Sequence, residues 1–212
     1  RLSAHAPGTP LAGFAPRRSG HEYSVDHGEG WFYILSNATH KNFALMRVPE
    51  TDPIEANWQV LLAGSDEQYL TWFMRLAGRL VVGERIAGLE QVRIIEDDGA
   101  DYLVAFPEST HTVGPGANAE YPTPYLRLRY QSMITPETEF DLLFTNRALV
   151  TRKVQVIPSG YDPAEYVTER LTATARDGTR VPVSIVYRRD LPRHSSAPLS
   201  VTRTAPSFNA LP

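Results

Sequence analysis

Short apolar strands return along this chain at a nearly constant interval, and that interval restricts the fold more than any other feature. Residues 31–35, 80–82 and 126–128 are rich in aromatic, β-branched and leucine side chains. Trp31 precedes Leu80 by 49 residues, and Leu80 precedes Leu126 by 46. Three or four short strands fit into each interval. A period of roughly 40–50 residues filled with short strands is the signature of propeller blades. The same meanders are also compatible with two packed antiparallel sheets.

The strands follow from alternation and from turn residues. Residues 21–27 alternate, with His21, Tyr23, Val25 and His27 on one face and Glu22, Ser24 and Asp26 on the other. Gly28-Glu29-Gly30 then turns the chain into 31–36. Further strands are expected at 43–48 and 58–62. A second set is expected at 68–76, 79–85, 90–95 and 102–106, with turns at Ala77-Gly78, Ala87-Gly88 and Asp97-Asp98-Gly99. Residues 107–124 read as a loop. A third set covers 125–132, 139–145 and 147–156. No segment keeps a helical period over 12 or more residues.

After Pro158-Ser159-Gly160 the pattern changes. Residues 166–176 and 180–187 are long strands joined by Asp177-Gly178, a strong hairpin signal. Val181, Val183, Ile185 and Tyr187 share one face of the second strand.

Composition sets limits on function. The 212 residues are 42% hydrophobic and 21% charged, which suits a folded globular chain. The net charge is -3 and the 21 basic residues are scattered, so no basic stripe points to nucleic acid. Cysteine is absent, which excludes disulfides and thiolate chemistry and fits a cytoplasmic protein. No apolar run approaches the roughly 20 residues that cross a bilayer.

Several residue groups suggest sites and have simpler readings. His21, Glu22, Asp26 and His27 resemble a metal set, but His21 and His27 would lie about 20 Å apart on an extended strand. Their carboxylate neighbours face the other way. Ser65, Asp66, Glu67 and His111 have no spacing that gathers them into a hydrolytic set. Glu96, Asp97 and Asp98 fit a solvated turn better than a cation site. Arg17-Arg18 and Arg188-Arg189 are short surface pairs. Trp31, Trp58 and Trp72 are expected to pack between blades rather than to line a ligand surface.

Five blocks in series resemble one family. They are Arg17-Arg18 with the run from His21 to His27, then Phe32 to Asn37, then Lys41-Asn42-Phe43, then Leu128 to Pro136, then Ala175 to Tyr187. In this order they resemble oligopeptidase B, a branch of the prolyl oligopeptidase family of serine peptidases. The resemblance covers roughly residues 15–199. It implies a seven-bladed propeller that caps an α/β-hydrolase domain and admits only short peptides. It also implies a Ser-His-Asp triad where the two domains meet, and cleavage after Arg or Lys. Sister prolyl oligopeptidases cleave after Pro.

On this reading the chain is all-β: a partial β-propeller of about three blades, followed by the first β-hairpin of an α/β-hydrolase domain. Residues 1–16 form a loop or frayed end, 17–160 the C-terminal part of the propeller, 161–199 the start of the peptidase domain, and 200–212 an atypical tail. The nucleophile-elbow pattern Gly-x-Ser-x-Gly occurs nowhere in the sequence. No catalytic, cofactor or metal residue is therefore assigned, and the chain alone is expected to be inactive. The expected partners are short peptides, with no nucleic acid and no membrane. Open sheet edges predict self-association. After Pro198-Leu199 the family continues toward a Gly-Tyr-Gly segment, whereas here Ser200 to Ser207 follow, which suggests a shifted reading frame. The alternative function is a non-catalytic propeller module that binds peptides.

Overall fold

Each apolar run of the sequence becomes the second strand of a four-stranded antiparallel sheet. The computed structural model describes residues 14–192 together with Ser200 and Val201. The first sheet contains β1 (Tyr23–Gly28), β2 (Trp31–Ser36), β3 (Ala44–Pro49) and β4 (Gln59–Leu62). The second contains β5 (Gln68–Leu76), β6 (Arg79–Ile86), β7 (Leu89–Glu96) and β8 (Asp101–Leu103). The third contains β9 (His111–Pro115), β10 (Tyr125–Ser132), β11 (Thr138–Leu143) and β12 (Leu149–Val154). All three are simple meanders in sequence order. A separate two-stranded sheet joins β13 (Tyr166–Thr174) to β14 (Arg180–Arg188).

The two-residue turns explain the sharp strand reversals. β1 and β2 pair from Tyr23↔Ser36 to Gly28↔Trp31, leaving only Glu29 and Gly30 between them. Both take positive φ, at 56° and 79°. That pair of conformations matches the natural twist of a hairpin. Ala87 and Gly88 repeat it between β6 and β7.

The sheets stack face to face as blades, and their cores show why alternation fades in the middle strands. From β2, Tyr33 and Leu35 join Leu45 of β3 to meet Leu70, Leu80 and Val82 of the second blade. Ile34 points to the opposite face with Met46 and Val48, beneath Phe14, Phe32 and Trp58. A strand buried on both faces reads as a continuous apolar run. In the second blade, Val81, Val92 and Ile94 face Val113, Leu126, Leu128, Tyr130 and Leu142 of the third. In β10 the other face carries Arg127 and Arg129, so that strand alternates strictly.

Trp31 and Trp72 pack against the two inter-blade cores, and Trp58 against the outer face of the first blade. Trp72 lies so close to Gly83 that a Cβ there would fall 2.1 Å from its indole nitrogen. Trp72 and Gly83 are paired within the second blade, and glycine is required there for the indole to lie across β6.

Two expectations need correction. Residues 107–124 are not all loop, because β9 lies within them and pairs with β10 from Leu128↔Pro115 to Ser132↔His111. Gly114 and Pro115 hide the strand in the sequence. It pairs on one side only, so proline at its end sacrifices no ladder bond. The last hairpin also turns more widely than Asp177-Gly178 alone. Its ladder ends at Thr174↔Arg180, and residues 175–179 close the loop with an Ala175 N–H bond to the Thr179 carbonyl. Most of the tail at 200–212, and residues 1–13 of the N-terminal segment, lie outside the described residues.

Candidate functional site

In a meander, turns alternate between the two ends of the blade. At one end lie the β1–β2, β5–β6 and β9–β10 turns. Arg75, at the end of β5, is its anchor. Its guanidinium donates to both carboxylate oxygens of Asp97, each at 2.6 Å, and also to Glu29. Its backbone N–H donates to Asp26 at 2.7 Å. Tyr121, from the β9–β10 loop, donates its hydroxyl to Glu29 at 3.3 Å, and its carbonyl accepts the Ala77 N–H. Three blades therefore meet around one buried cation. Hydrogen bonding to Arg75 holds the Asp97 carboxyl below the ordinary range, although burial opposes this.

At the other end, the β6–β7 and β10–β11 turns meet the β13–β14 hairpin. Arg170 of β13 donates to the Ala87 carbonyl, and Gly88 lies under Pro182 and Arg170. The Tyr161 hydroxyl donates to the Ile134 carbonyl at 2.6 Å. A cleft of about 290 Å³ lies between the third blade and the hairpin. Thr110, His111, Gln131, Met133 and Ser184 contribute to its wall.

Behind this cleft the Glu108 carboxylate accepts the hydroxyls of Tyr130 and Thr135. Burial, helped by Glu108, pushes the Tyr130 hydroxyl well above the ordinary phenol range. His111 has each ring nitrogen against a backbone carbonyl, Glu108 at 2.9 Å and Glu90 at 3.1 Å. Through these two contacts His111 joins the segment entering β9 to β7.

The groups weighed in the sequence are dispersed. His21 bonds to Ser36 and Arg18, His27 pairs with Glu50 at 2.9 Å, and Asp26 faces Arg75. Ser65 and His111 belong to different blades. His111 is not in a loop but opens β9. Ser65 caps the Glu67 N–H, and Asp66 pairs with Lys41, whose hydrogen bond holds that carboxyl below its usual range. Glu96 pairs with Arg79, and Asp98 accepts the Ala100 N–H. Among the described residues, no three His, Cys, Asp or Glu side chains are grouped to hold a metal ion. None of the described helices is long and apolar enough to cross a membrane. Sequence reasoning missed the Arg75 anchor and the Glu108–Tyr130 pair, because their partners lie 22 or more residues apart.

Comparison with known proteins gives the same architecture. Residues 2–155 match the model of the prolyl oligopeptidase N-terminal beta-propeller domain. Dipeptidyl aminopeptidase BI from Pseudoxanthomonas mexicana is 37% identical over 187 residues, which are 87% of this chain and 26% of that protein. Protease 2 from Moraxella lacunata is 29% identical over 93% of this chain and 28% of its own length. Oligopeptidase B from Leishmania major superposes with a TM-score of 0.72 at 30% identity, over 84% of this chain and 26% of that one. Oligopeptidase B from Trypanosoma brucei, with covalently bound antipain, gives 0.72 at 27% identity, over 84% and 27%. The chain thus spans about a quarter of the length of these relatives. By its matched propeller residues and its run of stacked blades, the chain belongs to the prolyl oligopeptidase family.

Proposed function

We propose that this chain is the C-terminal part of the propeller of a serine-type oligopeptidase that hydrolyses short peptides after Arg or Lys. The β13–β14 hairpin is the start of its α/β-hydrolase domain, with the boundary at the linker 155–162. The supporting observation is the order of parts. Three four-stranded blades end at Val154, the family match ends at residue 155, and the hairpin follows at Tyr166. Likeness to oligopeptidase B at 30% and to Protease 2 at 29% supports the oligopeptidase B branch, and the basic-residue preference is what resemblance to that branch implies.

In this reading the chain contributes walls and orientation. The nucleophile, the base and the acid of an acyl-enzyme mechanism belong to hydrolase sequence that is not among these 212 residues. The purified chain is expected to leave an Arg- or Lys-containing reporter peptide intact. Turnover abolished by a serine-directed inhibitor would overturn this.

A second reading rests on the 37% identity to a dipeptidyl aminopeptidase. There the peptidase carrying this propeller would release dipeptides from a free N-terminus. Reporter peptides with free and with acetylated N-termini, given to the longer peptidase that carries this propeller, separate the two: equal turnover supports the endopeptidase, and loss on acetylation supports the aminopeptidase.

A further inference from the structure

His111 stands where three segments meet, and its hydrogen bonding is unusual. Its Nδ1 lies 2.9 Å from the Glu108 carbonyl, in the segment leading to β9. Its Nε2 lies 3.1 Å from the Glu90 carbonyl, in β7 of the second blade. A carbonyl oxygen only accepts. A neutral imidazole has one N–H and can satisfy one of the two carbonyls, whereas an imidazolium has two and satisfies both.

The ring sits in an aromatic setting. The ring packs beside Phe106, with centroids 4.9 Å apart, and Tyr130, at 5.4 Å, and those two rings stack on each other at 5.5 Å. The charged neighbours are already engaged. The Glu90 carboxylate accepts the Val113 N–H at 3.1 Å and pairs with Arg85 at 3.0 Å. The Glu108 carboxylate accepts the hydroxyls of Tyr130 and Thr135. From the hairpin the shared cleft brings Ser184, which carries no charge.

We propose that His111 is a proton-dependent latch between the second and third blades. With two ring protons it ties β7 to the segment that enters β9. When one proton leaves, one of the two carbonyls loses its donor and the seam loosens. The latch sits in the wall of the cleft shared with the hairpin, so a loosened seam changes the surface on which the hairpin rests.

The test uses the isotope-labelled 212-residue chain. Imidazole nitrogen shifts follow the protonation of His111 as pH is varied. Exchange of the Val113 amide, corrected for its intrinsic rate, reports the seam through its bond to Glu90. Protection of that amide is expected to fall about tenfold as the ring loses one proton, the worth of one hydrogen bond from a charged donor. The variant His111→Phe keeps the aromatic stack and removes both donors. It is expected to show low protection with no pH dependence. Equal protection of Val113 on both sides of the imidazole titration overturns the proposal, and so does the same pH dependence in His111→Phe. If that variant does not fold, the wild-type measurement decides alone.

Discussion

Asp141 shows how a single carboxylate fixes a blade. It is 1% exposed and accepts from Arg127 at 2.8 Å and from Arg152 at 2.6 Å. Burial works against its charge, but the two guanidiniums outweigh it and hold the carboxyl below the ordinary Asp range. Arg152 is 47% exposed, so solvent screens much of its share. Asp141→Ala is expected to cost about 3 kcal/mol, seen as a lower urea midpoint. The pH dependence has a definite sign. A lowered folded-state pKa gives stability above the unfolded value of about 3.9, which is lost as pH falls through the folded value. The urea midpoint of the wild type should therefore drop below about pH 4, and Asp141→Asn should remove part of that slope. At Gly83 the constraint is steric. Gly83→Ala drives a methyl into Trp72 and is expected to cost about 1–3 kcal/mol, with a shift in tryptophan emission.

At the scale of elements, most strands were legible and the misreadings have clear causes. The ranges of β2, β5 and β10 follow directly from runs of aromatic and aliphatic residues bounded by turn residues. β9 was not legible, because five residues containing Gly114 and Pro115 carry no β signal and become a strand only by pairing with β10. The final hairpin was legible, but its turn was drawn too tight. Gly178 has φ of 87° there. Gly178→Ala is expected to cost about 1 kcal/mol locally, measurable as faster amide exchange in β13 and β14 with the blade amides unchanged.

At the scale of the molecule, the three blades are joined by two apolar seams and by the Arg75 anchor. Arg75 draws on all three blades, so its loss should act beyond its own sheet. Arg75→Met leaves Glu29 and Asp97 without their cation and is expected to destabilise the chain by about 1–3 kcal/mol, since both carboxylates are half exposed. A single cooperative loss of all three blades in thermal unfolding would bear this out, whereas loss of the second blade alone would contradict it. Among the described residues no strand pairs the first blade with the third, and Val60, Val154 and Val156 are exposed on the outer strands or just beyond them. Self-association is expected, visible as a sedimentation coefficient that rises with concentration. Lysine at Val60 and Val154 should reduce it.

The sequence by itself determined the all-β class, the blade period, the change of style after Gly160 and the family. These depend on local propensity and on spacing along the chain, which one dimension records. It also showed that no Gly-x-Ser-x-Gly elbow is present. Only the tertiary structure decided which charged residues pair. Arg75 meets Glu29 across 46 positions, and Tyr121 meets it across 92. It also showed that His111 opens a strand and faces two carbonyls. The physical reason is that a buried polar group must find its partner wherever the fold brings one, and that partner leaves no periodic trace in the sequence.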